Sequence, residues 1–184
     1  FDASHNTTTS LLDARSGYVI NGHVEQAGRW LQGSFNYWSA LGELRQYQPI
    51  GRRLVFANRA RIGTIDGGGN FGANVPFYKR YFLGGSSSIR GWGRFEVSPL
   101  SGFGLPIGGH SMFEGSSEAR FPVVGKIGGV MFLDYGNVWT RPRDFNLGDL
   151  RFAAGPGLRY MTPVGPARID LGYQLNPIPN LRVN

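Results

Sequence analysis

At 184 residues the chain is long enough for one domain with a sizeable core, but 29 glycines, 14% aromatics and only 17% charged residues depart from the roughly 25% charge of soluble domains. No window reaches the ~18 consecutive apolar residues of a membrane-spanning helix, which excludes a helical membrane protein, and the lack of cysteine excludes disulfide frameworks and thiolate metal sites. The formal charge of +7 is scattered, with adjacent cations only at Arg52, Arg53 and Lys79, Arg80, so no basic stripe supports nucleic-acid binding; anionic lipid headgroups or an acidic lumen would balance it instead.

Phe1 to His5 reads as the tail of a strand. After a longer stretch at 6–16, period-2 alternation begins. In 18–26, Tyr18, Ile20, Gly22 and Val24 oppose Asn21, His23 and Glu25. Residues 35–47 are strand-like with weaker alternation. In 54–63, Leu54, Phe56, Ala60 and Ile62 oppose Arg59 and Arg61. In 111–123, Phe113, Ala119 and Phe121 oppose Glu114, Ser116, Glu118 and Arg120. Residues 127–139 follow, where Met131, Leu133, Tyr135 and Trp139 suit lipid and Asp134 takes the other face. Phe152, Ala154, Leu158 and Tyr160 share a face in 151–161. In 167–175, Ala167, Ile169, Leu171, Tyr173 and Leu175 oppose Arg168, Asp170, Gly172 and Gln174. A helix would scatter both sets around its circumference. Segments of about 9–13 residues match a tilted strand crossing a bilayer, so the expected fold is an all-β antiparallel transmembrane barrel over 1–184 as a single domain.

The connections alternate in length. Residues 49–52, 124–126 and 163–166 are tight turns with Gly and Pro at the bends; 28–34, 64–110 and 140–150 are longer. Short turns at one rim and long loops at the other are characteristic of outer-membrane barrels, whose short rim is periplasmic. The 64–110 loop far exceeds the roughly 12–15 residues at which a loop requires a functional explanation. It carries Phe71, Phe77, Tyr78, Tyr81, Phe82, Trp92, Phe95 and Phe103, too many aromatics for a solvated coil, and should pack in the barrel interior. Trp30 and Trp139 fall near strand ends, where an interfacial belt is expected. Trp92 should sit in the lumen, and Trp38 is assigned to neither.

The loop centre contains Phe82-Leu83-Gly84-Gly85 followed by Ile89-Arg90-Gly91-Trp92. Downstream stand Glu118 in Ser117-Glu118-Ala119-Arg120-Phe121-Pro122, then Phe132-Leu133-Asp134-Tyr135-Gly136-Asn137, then Gly155-Pro156-Gly157-Leu158-Arg159. In this order the chain resembles the BamA/TamA superfamily of outer-membrane assembly factors, which also includes two-partner secretion transporters. The resemblance implies a sixteen-stranded barrel with this loop between its eleventh and twelfth strands. This chain would then be the C-terminal barrel portion, lacking the final strand and the N-terminal POTRA repeats. It implies insertion or translocation of polypeptides in the outer membrane of a Gram-negative-type bacterium, without covalent chemistry or cofactor, through a lateral seam between the family's first and last strands. The implied partners are outer-membrane lipids and lipopolysaccharide, unfolded client proteins, and periplasmic or inner-membrane accessory proteins.

A loop arginine folded into a barrel needs acidic partners, and its planar fork suits carboxylates better than lysine does. We therefore expect Arg90, at the tip with Ile89, Gly91 and Trp92, to pair with Glu118 and Asp134. Phe82, Gly84, Gly85, Phe132 and Gly136 should support that latch. His5, His23 and His110 are too dispersed for a metal set, and neither His23 nor His110 accompanies a nucleophile motif such as G-x-S-x-G. Asp66-Gly67-Gly68-Gly69-Asn70 lacks the residues of a phosphate or calcium loop and reads as a flexible loop entry. The other readings are a passive porin, whose loop would constrict a conducting pore without a latch, and an outer-membrane hydrolase.

Overall fold

The computed structural model describes residues 1–10, 13–28, 34–68, 74–163 and 165–177; the expectations for Trp30 and Phe71 fall outside them. Nine strands form one sheet: β1 (Asp2–Asn6), β2 (Gly17–Ala27), β3 (Tyr37–Ile50), β4 (Leu54–Asp66), β5 (Ser111–Val124), β6 (Ile127–Trp139), β7 (Arg151–Thr162), β8 (Gly165–Asp170) and β9 (Tyr173–Gln174). From β1 to β8 each strand pairs antiparallel with the next, and β9 also pairs with β7. Among the described residues, β1 and β8 are the edges of an unclosed meander, an arc of a barrel wall.

Alternation gives the two faces of this wall opposite character. Ile20, Val24, Leu44, Ile62, Met131, Leu133, Leu158 and Ile169 project from one face and are exposed, an apolar band too continuous for a soluble surface. Aromatics flank it at both ends. Toward the long loops, Tyr135 stands between Phe113 and Phe152, with ring centroids 6.1 and 6.2 Å away. Toward the short turns lie Tyr18, Phe56, Phe121 and Tyr160. Trp139 departs from the expected belt: it is buried, with Phe145 of the following loop packed edge-on at 5.7 Å.

The other face is covered by the loop between β4 and β5. Leu83, Ile89, Trp92 and Val97 from the loop form one core with Met112, Val138 and Ala153 from the wall. Val75 completes a smaller one with Tyr37 and Ile65. Isolated bridges Tyr81↔Gly109, Leu83↔Val97 and Leu100↔Pro106 fold the loop on itself. Its aromatics do not all turn inward as expected. Phe77, Phe82 and Phe95 stack on one another at 5.2 and 4.9 Å, and Phe103 is exposed. At the loop entry Asn74 donates to the carbonyls of Gly67 and Gly68 at 2.8 and 3.0 Å; Gly69 and Asn70 of the entry lie outside the described residues.

The last strand also differs. Uninterrupted pairing was expected over 167–175, but the ladder breaks at Leu171 and Gly172, between β8 and β9. The flanking pairs Gly157↔Asp170 and Ala154↔Tyr173 keep one register, so no residue has been inserted. The break has its cause in Pro156 of β7: Leu171 N–H still donates to Pro156 O at 3.0 Å, but proline has no N–H to return the bond.

Candidate functional site

The tip is a tight turn. Gly85 N–H donates to Trp92 O at 2.9 Å and Ser88 N–H to Gly85 O at 3.1 Å. Gly84 and Gly91 adopt φ of +105° and +84°, a region where a side chain is strained. The turn drives Ile89 into the core at 0% exposure. There it meets Gly136, where a Cβ would stand 3.2 Å from Ile89 Cδ1. Trp92 lies beside it and donates its indole N–H to Phe152 O at 3.3 Å. Phe82 supports the loop rather than the wall, through Phe77 and Phe95.

Between those apolar anchors, Arg90 is 6% exposed and all five guanidinium donors have acceptors. Asp134 takes Nε at 2.6 Å and Nη2 at 2.7 Å, a bidentate fork, and also the Arg90 backbone N–H at 3.1 Å. Nη1 donates to Glu118 at 2.7 Å and to Asp170 at 3.3 Å. Nη2 further donates to Ser116 Oγ at 3.1 Å, while that hydroxyl donates to Asp134 at 2.6 Å. The guanidinium lies 3.6 Å from the Phe132 ring centroid, a cation–π contact. Burial disfavours the Arg90 cation, but Asp134 and then Glu118 outweigh it and raise its pKa above the ordinary arginine value.

Arg120 and Arg159 brace the acids. Glu118 receives Arg120 Nε at 2.8 Å, and Asp170 is paired with Arg159. Beside them Glu114, wholly buried, pairs with Arg59 and with Arg61 at 3.0 Å. A buried ion pair is favourable only when every polar atom is matched, and here carboxylates and guanidiniums satisfy one another. The described part of the inner face carries both signs of charge. Arg45, Arg59, Arg61, Arg120, Arg159 and Arg168 share the inner face with Glu43, Glu114, Glu118, Asp134 and Asp170.

The structure therefore places Ile89, Arg90, Gly91, Trp92, Glu118, Asp134, Phe132 and Gly136 together, with Gly84 and Gly85 shaping the turn. The sequence reading missed Ser116, Arg159, Asp170, Gly172 and Gln174. Four residues of one strand face were already set apart by alternation: Arg168, Asp170, Gly172 and Gln174. Each meets the tip. Arg168 donates to Ser86 O and Gln174 to Gly91 O, both at 3.0 Å; Asp170 meets Arg90; Gly172 lies against Gly91. His23 instead bonds Asp2 Oδ1 at 2.7 Å. Among the described residues no cluster of three or more His, Asp or Glu could hold a metal ion. Chemically the site can clamp a loop to three strands.

Residues 1–182 match the model of the Omp85 superfamily domain. The outer membrane protein assembly factor BamA of Neisseria meningitidis is 25% identical over 95% of this chain and 26% of its own length; that of Nitratidesulfovibrio vulgaris is 26% identical over 94% and 22%. Outer envelope protein 80, chloroplastic, of Arabidopsis thaliana is 30% identical over 66% of this chain and 16% of that protein. The chain thus spans about a quarter, or less, of the length of these curated relatives. The crystal structure of BamA from Haemophilus ducreyi lacking POTRA domains 1–3 has the same fold, with a TM-score of 0.79, 21% identity, and coverage of 97% of this chain and 40% of that one.

Proposed function

The chain belongs to the Omp85 superfamily, and from that premise we propose that it is part of an integral outer-membrane barrel of a Gram-negative-type bacterium that inserts other outer-membrane proteins, its relatives being assembly factors. The observation that carries the reading is the latch. Arg90 joins the loop tip to β5, β6 and β8 through Glu118, Asp134 and Asp170. A passive pore requires no such clamp. An insertion machine needs a wall held rigid in one part while strands elsewhere part and pair with a client edge. The work is physical: strand pairing and local rearrangement of lipid, with no bond made or broken by the chain. Its partners are unfolded barrel proteins, the accessory proteins that deliver them, and the lipids and lipopolysaccharide around the apolar band.

The test is client folding. The complete protein in lipid vesicles should accelerate folding of a urea-denatured outer-membrane protein, scored by heat-modifiable migration, and Arg90→Ala should lose most of that acceleration. No acceleration over empty vesicles overturns the reading. A client that crosses into the lumen without inserting moves the protein to the secretion branch, and steady conductance without client folding identifies a porin.

A further inference from the structure

Below the latch the inner face opens into a cavity of about 420 Å³ at the short-turn end. Its lining draws on three connections of that rim as well as the wall. Arg15 comes from the stretch between β1 and β2, Arg53 from the β3–β4 turn and Lys126 from the β5–β6 turn, while Arg120, Arg159 and Arg168 reach in from the strands. Asp13 and Glu118 are the acids on this lining, and Glu118 is already held by Arg90 and Arg120. Neither Arg53 nor Lys126 makes a side-chain ion pair among the described residues. Arg15 is tethered, donating at 3.5 Å to Arg52 O, and Ala14 beside it is buried. Asp13, Ala14 and Arg15 therefore lie at the mouth, with the Arg15 cation beside the β3–β4 turn.

We propose that this arginine-lined mouth is a docking site for an acidic polypeptide segment arriving from the short-turn side. Arg120 and Arg159 are matched by Glu118 and Asp170, but Arg15, Arg53 and Lys126 converge on the same concave surface without ion-pair partners among the described residues. Such cations raise the local potential and attract carboxylates, which guanidiniums grip bidentately. The occupant is polypeptide and not lipid because the cavity opens on the inner face, opposite the apolar band formed by Met131, Leu133 and Leu158; a headgroup cannot reach it without leaving the bilayer. The site rests on the assembly reading only for the compartment from which the segment comes.

The experiment uses the complete protein in lipid nanodiscs and fluorescein-labelled decaglutamate, followed by anisotropy. Decaglutamate should bind and weaken steeply with salt, and decaglutamine should not bind. The triple variant Arg15→Gln/Arg53→Gln/Lys126→Gln should bind at least about tenfold more weakly, whereas Arg94→Gln/Arg143→Gln, in the long loops, should bind as the parent does. Heat-modifiable migration establishes folding, and if the triple variant does not fold, Lys126→Gln alone, in an exposed turn, should still weaken binding about threefold. Equal binding of decaglutamine, unaltered binding by both the triple and the single variant, or displacement by low-millimolar inorganic phosphate as effective as by unlabelled decaglutamate would each overturn the site. Decaglutamate binding without client folding retires the assembly reading alone, and client folding without decaglutamate binding retires this site alone.

Discussion

Gly91 of the loop tip and Gly172 of the last strand pack backbone on backbone: a Cβ on Gly91 would stand 2.7 Å from the Gly172 carbonyl carbon and 3.1 Å from Tyr173 N. The two backbones meet where the β7 ladder skips a step at Leu171 and Gly172 without changing register, opposite Pro156, which has no N–H to donate. Gly172→Ala should therefore unseat the tip at a cost of about 1–3 kcal/mol, the range for overpacking. The expected readout is a loop cut faster by protease in the folded barrel, with Gly91→Ala at least as severe because Gly91 also holds φ +84°. A Gly172→Ala loop as resistant as the parent would show that the contact is incidental.

Arg90→Lys keeps the charge but loses the fork. An ammonium has three donors where Arg90 uses five N–H groups toward Asp134, Glu118, Asp170 and Ser116. Removing one partner of a buried pair typically costs about 3–5 kcal/mol, and lysine should recover a minor part. The urea midpoint for loop release should fall for Arg90→Lys nearly as far as for Arg90→Met. The charge swap Arg90→Asp/Asp134→Arg should restore stability only in part, because the new aspartate would face Glu118 and Asp170; full recovery would mean that Asp134 is the one partner that matters.

The three acids should rank. Asp134 is fully buried and accepts both fork bonds and the Arg90 N–H. Glu118 makes one short bond to Arg90, and Asp170 makes the long one at 3.3 Å while also serving Arg159. Loss of stability should run Asp134→Asn, then Glu118→Gln, then Asp170→Asn, with the first costing about 3 kcal/mol or more. Urea unfolding of the three variants measures the order, and Asp170→Asn as the most damaging would reverse the role assigned to Asp134.

Alternation made much of this legible, because a period of two assigns each residue to a face. The sequence alone places Glu118, Asp134 and Asp170 inside, and Leu133 or Ile169 outside. What the pattern could not supply was the partner across the lumen. Asp170 carried no motif, and its meeting with Arg90 depends on how far the loop reaches. The ladder break at Leu171 and Gly172 has a local cause that alternation does not register, the missing N–H of Pro156 on β7. Trp139 failed as a belt residue for a tertiary reason: strand-end position predicts an interface only until a neighbouring loop, here Phe145, covers the ring.

A second foothold lies at the base of the loop. Lys79 Nζ reaches both Glu25 oxygens at 2.8 Å, and Tyr37 donates to Glu25 at 2.8 Å. The bond to Glu25 is the first cause raising the Lys79 pKa above its ordinary 10.5. A raised cationic pKa stabilises fully below the unfolded value and is lost only as pH climbs through the folded one. Loop anchoring through Lys79 should therefore hold steady from about pH 7 to 9 and weaken only in stronger alkali. The pair is about one-third exposed, so Lys79→Met should cost no more than about 1 kcal/mol. Hydrogen exchange at residues 77–81 across that pH range checks it; a loss of protection between pH 7 and 9 would contradict the assignment.

The outer face predicts its own asymmetry. Leu133 sits at the middle of β6, exposed on the apolar band, one residue from the wholly buried Asp134. If the band faces hydrocarbon, Leu133→Arg must place a cation near the bilayer midplane, at about 2–4 kcal/mol for a barrel strand. Leu133→Met, equally apolar, should be nearly silent. The same arginine near the aromatic rim, at Phe121, should cost about 1 kcal/mol or less, because its head can reach the headgroups. Urea unfolding in lipid vesicles compares the three. A Leu133→Arg protein as stable as the parent would place that face in water or against another protein.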